Sequence, residues 1–577
     1  MEFRNLAVFL TQLEATASRN QITEILAALF KKASGKEIDK ICYLCLGQLA
    51  PIYAGREFNL AEKLMIRVIT RAFNLPEEAA RKEYKKLGDL GEVAQKFKIG
   101  NLKLGIGKKQ NLSVEDVYQR LSVLADEEGG GSVERKISSM VSLLDDLDSQ
   151  SVKYVVRIPL GRLRLGFSEL TIFDALSWLV AGDKSKRSAI EQAYNLQADV
   201  GQIAQLVKSR GIQGLKGIKI QLGIPVMPAL CQRLPNAGEI IKKMGKVAVE
   251  SKYDGTRLQI HWSKKKVSFF TRNLENVTQM FPDLAEALDK EIKAKEVIFD
   301  GEAIGFNPKT NRFLPFQETI KRKRKYEIGS KAKEIPLKYF AFDILFKNGR
   351  DLINLPFSQR REILQKTILK NAQTFKVSPQ IVTESPQELK EFHEIQIKNG
   401  LEGVVVKKWE AAYDPGRRGY VWVKLKQEKG KKGGGLSDTL DCVVMGYYKG
   451  KGKRTNFGIG AFLVGVRQSA ASEEILTISK IGTGLTDEQW REMRRRINEV
   501  KVKEKPKQYL IDKNLFPDVW CTPKIVVEIE ADNITKSPIH TARYALRFPR
   551  LVRFRDDKAA KEATTLAEAE KLYRLQV

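Results

Sequence analysis

Apolar residues recur at helical spacing through the first 220 or so positions and at strand spacing afterwards, and the change falls at Pro225 and Pro228. A long helical stretch followed by a change of texture, rather than strands and helices alternating from the start, points to a division into domains. Leu6, Phe9, Leu10 and Leu13 sit at i, i+3, i+4 and i+7, and Ile22, Ile25, Leu26 and Leu29 repeat that spacing. Gly129–Ser132 breaks the helical part as a loop, and the pattern resumes over Met140–Leu147, Ile172–Val180 and Ile203–Val207. Beyond the prolines the alternating runs are Lys246–Glu250, Gln259–Trp262, Glu296–Phe299, Lys338–Ile344, Gly403–Lys407 and Tyr420–Lys426, with helical stretches at Arg360–Leu369 and Pro386–Lys398. A Lys/Gly-rich stretch, Gln427–Gly435, has linker composition. Short strands follow it (Asp441–Gly446, Ala461–Val466, Ile475–Ile481, Ile525–Glu530) around one helical pattern, Asp487–Val500. About five strands and a helix suit an OB-fold, although another small barrel fits the same spacing. The expectation is a multidomain chain: an all-α domain at 1–222, an α/β domain with a mixed, largely antiparallel sheet at 223–427, and a C-terminal β-barrel at 428–577.

Composition narrows the partners. The 577 residues carry 100 Lys and Arg against 70 Asp and Glu, a formal charge of +30, which favours a polyanionic partner such as nucleic acid. Five cysteines in a chain this long make no disulfide framework. Cys42 and Cys45 form one CxxC with no second pair to complete a zinc site, inside an apolar stretch that reads as buried helix. With no run of 18 apolar residues and no cleavage-site pattern after Met1, the expectation is a cytoplasmic protein without a membrane segment. Three histidines (His261, His393, His540) leave little room for His-based triads, and neither GxxxxGK[ST] nor a GxGxxG after a strand occurs.

One short sequence stands out: Glu250-Ser251-Lys252-Tyr253-Asp254-Gly255-Thr256-Arg257, an alternating strand that turns on Asp-Gly. Alone, Lys-x-Asp-Gly is weak, and a hairpin with a solvated lysine explains it equally well. The ordered set downstream changes that. Phe270-Thr271-Arg272-Asn273 follows the next strand, and Phe299-Asp300-Gly301-Glu302-Ala303 reads as a strand ending in a carboxylate. Tyr339–Leu345 is an aromatic strand containing Phe342, and Leu401–Lys407 places Glu402 at a strand start. Gly416-Arg417-Arg418-Gly419 precedes Trp422–Lys426, where a period of two sets Lys424 and Lys426 on one face and Val423 and Leu425 on the other.

Six such motifs, in this order and at this spacing, resemble the ATP-dependent DNA ligases, in particular the archaeal-like type with an N-terminal DNA-binding domain. The resemblance extends over nearly the whole chain. Tyr154–Gly166, with Arg157, Arg162 and Arg164, and Ile190–Gly201 are similar to that family's helical domain; Arg547-Phe548-Pro549-Arg550, then Arg553, Arg555, Asp557 and Lys558, are similar to its C-terminal motif. The resemblance implies that Lys252 is the nucleophile that takes AMP from ATP. It implies that Phe342 stacks on adenine, Glu250 accepts the adenine amino group, and Arg272 and Arg418 contact ribose or phosphate. Arg257, Lys424 and Lys426 would neutralise the α-phosphate, and Glu302 and Glu402 would bind Mg²⁺, with Mn²⁺ the alternative.

Chemistry supports these residue types. A phosphoramidate on lysine keeps AMP activated for onward transfer. An ordinary lysine, with pKa ~10.4, is only ~0.1% neutral near pH 7.5, so neighbouring cations and a metal are needed to favour the free amine. Carboxylates are hard donors suited to Mg²⁺. The basic runs Lys321–Lys325 and Lys449–Arg454 read either as solvated surface or as sequence-blind phosphate contacts. The implied activity is sealing of 5′-phosphate/3′-hydroxyl nicks in duplex DNA during replication, repair and recombination, by a monomer associated with the nucleoid. An RNA ligase or GTP-using capping enzyme shares the core motif but lacks a helical region of this length; an NAD-dependent ligase would carry a four-cysteine module; a non-catalytic scaffold would not label with nucleotide. Archaeal relatives dock a sliding clamp through a glutamine-led motif ending in aromatics, and Gln110-Asn111-Leu112-Ser113 lacks the aromatics. The Gly-rich 428–435 stretch and Gly105-Ile106-Gly107 also depart from the family's pattern.

Overall fold

The computed structural model of the chain describes residues 1–16, 18–103, 111–310, 312–314, 316–322, 328–416, 418–426, 438–450 and 457–575, without the side chains of 103, 316, 317 and 418. Gln427–Gly435, Gln110, Gly105–Gly107, residues 323–325 of the first basic run and 451–454 of the second lie outside the described residues.

The N-terminal part is helical because one face of each segment is apolar and polar residues close the ends. In Phe3–Glu14 the buried face is Phe3, Leu6, Ala7, Leu10 and Leu13; Phe9, on its flank, is only partly covered. Ser18 accepts from Gln21 N before Arg19–Lys32, Ser113 and Asp116 form a capping box before Val114–Asp126, and Asp148 and Asp199 cap Ser149–Arg157 and Val200–Arg210. Each such cap is worth about 1 kcal/mol. Cys42 and Cys45 are buried in Ile38–Cys45, and burial pushes both thiols up, Cys45 to about 12. The Arg157 guanidinium is buried between Glu14 (3.0 Å) and Asp89 (2.9 Å). Arg164 shares Asp89 at 2.9 Å and Arg162 pairs with Glu62. Burial alone would raise Glu14, but hydrogen bonds from Arg157 and Lys153 bring it down to about 2.

The α/β part is built on two sheets. One has the order β1 (Leu230–Arg233), β12 (Arg418–Lys426), β11 (Gly403–Lys408), β2 (Val247–Ser251), β10 (Gln380–Thr383). The other has the order β4 (Lys266–Thr271), β3 (Thr256–Ser263), β5 (Glu296–Asn307), β7 (Leu337–Lys347), β8 (Arg350–Asp351), with β6 (Arg312–Phe313) on β5 and β9 (Phe375–Val377) on β7. The core behind the second sheet is apolar, with Leu258, Ile260, Phe269, Phe299 and Tyr339 buried beside the helices Pro282–Glu291 and Phe357–Thr367. Arg322, in the first basic run, is also internal: it pairs with Asp283 and lies 5.8 Å from the Phe281 ring.

The C-terminal part is β-rich, with β13 (Leu440–Tyr448), β14 (Ala461–Arg467), β15 (Ile475–Ile481), β16 (Lys501–Val502), β17 (Tyr509–Leu510), β18 (Val519–Cys521), β19 (Val526–Glu530), β20 (Asn533–Lys536), β21 (Tyr544–Arg547) and β22 (Arg550–Phe554). Strand β13 pairs with β14 along one side; on the other it pairs with β19 through Leu440–Val443 and with β18 through Gly446 and Tyr447, so the sheet bends around it as in an OB-fold. More strands exist than the five expected, because two- and three-residue strands leave no legible alternation. A capping box of Thr486 and Gln489 starts the helix Asp487–Glu499, and a further helix occupies Leu566–Leu575. The chain forms two compact units, Met1–Leu389 with Val405–Lys424, and Lys390–Val404 with Leu425–Val577.

Candidate active site

The Lys-x-Asp-Gly segment is not a hairpin. Strand β2, which ends at Ser251, belongs to the first sheet and β3, which begins at Thr256, to the second. Lys252 therefore stands at the seam between the sheets. Gly255 is required there because a Cβ would lie 2.4 Å from the Ala303 carbonyl of β5. Next to the lysine, Tyr253 is anchored by stacking on Phe340, ring centroids 4.4 Å apart.

Strand β5 does not end at its carboxylate but runs on to Asn307, so Glu302 lies mid-strand, opposite Arg257 on β3 and Phe340 on β7. Two irregularities in the β5–β7 register, at Ile298/Phe299 and Asp300/Gly301, interrupt simple alternation. Burial pushes Glu302 up; Lys252 and Arg257 pull it back, Asp300 and Asp254 push it further, and the result is a carboxyl titrating at about 8. Such a group, deficient in positive charge, fits a divalent cation. Among the described residues no cluster of three or more ligating side chains exists, so an ion here would be held by Glu302 together with phosphate oxygens and water, the habit of Mg²⁺.

Arg257 is fixed rather than free. Its Nε and Nη2 donate to Asp300 at 2.9 and 2.6 Å, and its Nη1 to Ala229 O at 2.9 Å. The guanidinium lies 5.5 Å from the Phe342 ring and 5.6 Å from Trp422. Phe342 and Trp422 meet edge to face at 5.7 Å. Beside them is a residue whose role the motif reading left unassigned, Lys407. It is buried, donates to Glu250 Oε2 at 2.9 Å and Phe342 O at 2.6 Å, and lies 4.4 to 4.7 Å from the rings of Trp422, Phe357 and Phe342. Its place in β11 directly after the apolar run Val404–Val406 was the available signal. Arg361 donates to the other Glu250 oxygen at 3.2 Å. Burial raises Glu250 and lowers Lys407, and their mutual attraction opposes both shifts.

Thus Glu250, Lys252, Arg257, Glu302 and Phe342 gather within the first unit. Lys424 joins them electrostatically: the Cys231 thiol, raised by burial, is pulled down by Arg257, Lys252, Lys407 and Lys424 together. Val423 and Leu425 are buried and Lys424 and Lys426 half-buried, as alternation along β12 requires. Arg272 stands exposed just beyond β4. The Arg418 side chain lies outside the described residues. Glu402 and Lys426 belong to the second unit, where they form an ion pair of 3.4 Å. In that unit the cations of the C-terminal motif are engaged by acids: Arg553 by Glu528 at 2.7 Å, Arg555 by Asp441 and Asp557, and Lys558 by Asp441 at 2.6 Å.

Two sheets meeting at a lysine, with a half-buried acid and a fixed arginine beside it, are an arrangement suited to nucleotidyl transfer. The chain belongs to the ATP-dependent DNA ligase family: residues 228–426 match its ATP dependent DNA ligase domain, 2–177 its DNA ligase N terminus and 455–558 its ATP dependent DNA ligase C terminal region. A probable DNA ligase of Dictyoglomus turgidum is 44% identical over 584 residues, covering 100% of this chain and 98% of that protein. The DNA ligase of Sulfolobus acidocaldarius is 38% identical over 592 residues, covering 99% and 98%. Among solved structures, the chain described as Pmar-Lig_PreS3 shares the fold at a TM-score of 0.55 and 17% identity, over 95% of this chain and 99% of that one. No helix among the described residues is long and apolar enough to cross a membrane.

Proposed function

We propose that this enzyme seals 5′-phosphate/3′-hydroxyl nicks in duplex DNA through an AMP carried on Lys252. The observation that supports this most directly is the seam between the sheets, where Lys252 lies in electrostatic reach of Glu302 and beside Arg257, in a chain of this family. In the first step Lys252 Nζ attacks the α-phosphorus of ATP, the bond to the bridging oxygen breaks, pyrophosphate leaves and the amine loses a proton. Arg257, fixed by Asp300, and Lys424 neutralise the charge that grows on the α-phosphate. Phe342 carries the purine on its face, Glu250 accepts from the adenine amino group, and Arg272 and Arg418 hold ribose or phosphate. In the second step a 5′-phosphate oxygen of DNA attacks the adenylate, the P–N bond breaks and the lysine regains its proton. In the third, the 3′-hydroxyl attacks the activated 5′-phosphate and AMP leaves.

Glu302 and Glu402 are the carboxylates that would bind Mg²⁺ or Mn²⁺, which would supply charge neutralisation at the triphosphate. The helical residues 1–222 and the barrel 428–577 would grip the duplex around the nick on which the adenylation domain 223–427 acts. Sequence-blind backbone contacts by so basic a chain suit nicks left in replication, repair and recombination, met by a monomer on the nucleoid.

Lys252→Ala should gain no AMP when incubated with labelled ATP and divalent ion, yet should still seal a nick that is already adenylylated. Labelling of this variant would show that the carrier is another residue.

A further inference from the structure

The adenylation site has a support outside its own two sheets. The helix Arg187–Leu196, in the N-terminal helical region, carries the buried Asn195 next to its last residue. Asn195 Nδ2 donates to Pro415 O at 2.9 Å, and its own carbonyl accepts from Met227 N at 2.9 Å. One residue thus holds two strands of chain that both lead into the site. The first is the loop Tyr413–Gly416, which opens β12 and its lysines. The second is the strap 223–229, further tied to the helix end by Ala198 N to Pro225 O at 3.3 Å, while Gln197 Nε2 donates to Lys219 O at 2.7 Å on the chain just before it.

Loop and strap are also closed on each other. Gly416 N donates to Pro228 O at 3.3 Å, Ala229 N to the Tyr413 hydroxyl at 2.9 Å, and that hydroxyl donates to Asp300 at 2.8 Å. Ala229 O receives the Arg257 guanidinium. A continuous set of hydrogen bonds therefore leads from a helix of the N-terminal region to the arginine beside Lys252. Gly416 is shaped by the same contact: its φ is +74°, and a Cβ there would lie 2.5 Å from Asn195 Oδ1.

We propose that Asn195 is a positioning residue of the adenylation site: by fixing the loop before β12, it makes the helical region set the affinity for ATP even when no DNA is bound. A helical region that served only to grip duplex would have no effect on the DNA-free step. The inference rests on the reading of Lys252 as the AMP carrier.

The test is self-adenylylation of the full chain without DNA, followed by intact mass. Asn195→Asp keeps the volume and presents an oxygen to the Pro415 carbonyl in place of the donor. The KM for ATP should rise about tenfold, the size expected when a buried hydrogen bond is replaced by a repulsive contact, with kcat much less affected. Rates that fall only in proportion to the folded fraction, at unchanged KM, would reduce Asn195 to a structural residue and overturn the proposal. A second comparison does not depend on that variant folding. Gly416→Ala should impair ATP use more than the double variant Asn195→Ala/Gly416→Ala, in which the colliding side chain is gone; a double variant no better than Gly416→Ala contradicts the contact. Wild-type protein that gains no adduct would instead remove the Lys252 reading, so the two failures are told apart.

Discussion

Asp300 grips Arg257 with both oxygens, at 2.9 Å to Nε and 2.6 Å to Nη2, and the carboxylate is 1% exposed. This acid lies beside Gly301 and Glu302 in the Phe299–Ala303 motif. The geometry makes it the residue that orients Arg257 toward the Phe342 and Trp422 rings. Asp300→Asn keeps the shape and removes the countercharge of a buried guanidinium. Loss of one partner of such a pair costs about 3 kcal/mol. The variant should unfold at clearly lower denaturant and adenylylate more slowly at saturating ATP. An unchanged adenylylation rate would mean that Arg257 is held well enough by Ala229 O alone.

The Lys407–Glu250 pair predicts a separable result. Lys407→Met retains the stem among the three rings and strips Glu250 of its nearer cation, leaving Arg361. Stability should fall by about 3 kcal/mol or more and the KM for ATP should rise. Adding Glu250→Gln removes the stranded charge, so the double variant should recover stability without recovering affinity for adenine. Denaturant midpoints and nucleotide titrations on the four proteins measure both quantities. Additive losses in stability would show that the two side chains do not interact.

The helical region and the strands were legible because they rest on local periodicity: Leu6, Leu10 and Leu13 announce a buried face, and Val423 and Leu425 do the same in β12; the motifs were legible only by their resemblance to a known family. What the sequence left hidden is long-range. Nothing local says that β2 and β3 enter different sheets, so Lys-x-Asp-Gly read as a turn of one hairpin rather than a seam. Arg322 falls in a run that reads as solvated surface or phosphate contact, and Arg157 has no reading beyond its place in the helical domain, yet both are buried against acids distant in sequence, Asp283 in one case and Glu14 and Asp89 in the other. A cation's partner sets its role, and partners 39 to 143 positions away carry no periodic signal. Lys407 escaped for the same reason, since its partners Glu250 and Phe342 come from other strands.

Glu302 gives a pH prediction. Its carboxyl is raised from the ordinary 4.5 to about 8, chiefly by burial. The folded protein therefore holds a proton that the unfolded chain releases, and stability contributed by this group is full below pH 4.5 and lost as pH rises through about 8. Glu302→Gln should be more stable than the wild type at pH 9, by up to a few kcal/mol, and equal to it near pH 4. It should also fail to adenylylate at any pH. In the wild type, divalent ion must displace the proton, so apparent metal affinity should climb steeply between pH 6 and 8. A stability difference that does not change with pH would show that Glu302 is ionised in the free protein.

His261 predicts the opposite slope. Its Nδ1 accepts from Gly223 N at 3.1 Å and its Nε2 lies 2.8 Å from Gln259 Oε1, while Gln259 clamps Val226 through both its N–H and its carbonyl. A ring that accepts at Nδ1 and donates at Nε2 is neutral, and burial lowers its pKa from 6.5 to about 3. Protonation would set an N–H against the Gly223 N–H and loosen the strap that reaches Ala229 and Arg257. The unfolded chain takes up the proton first, so the stability due to this ring is full above pH 6.5 and fades as pH falls toward 3. His261→Phe fills the space without titrating or accepting. It should be less stable than the wild type at pH 7, and the gap should narrow by about 2 kcal/mol by pH 5, the linkage expected for one group over that interval. Urea midpoints of the two proteins at pH 7, 6 and 5 read the gap directly, with the chain's carboxylates common to both. A gap that stays constant would mean that the strap does not depend on a neutral His261.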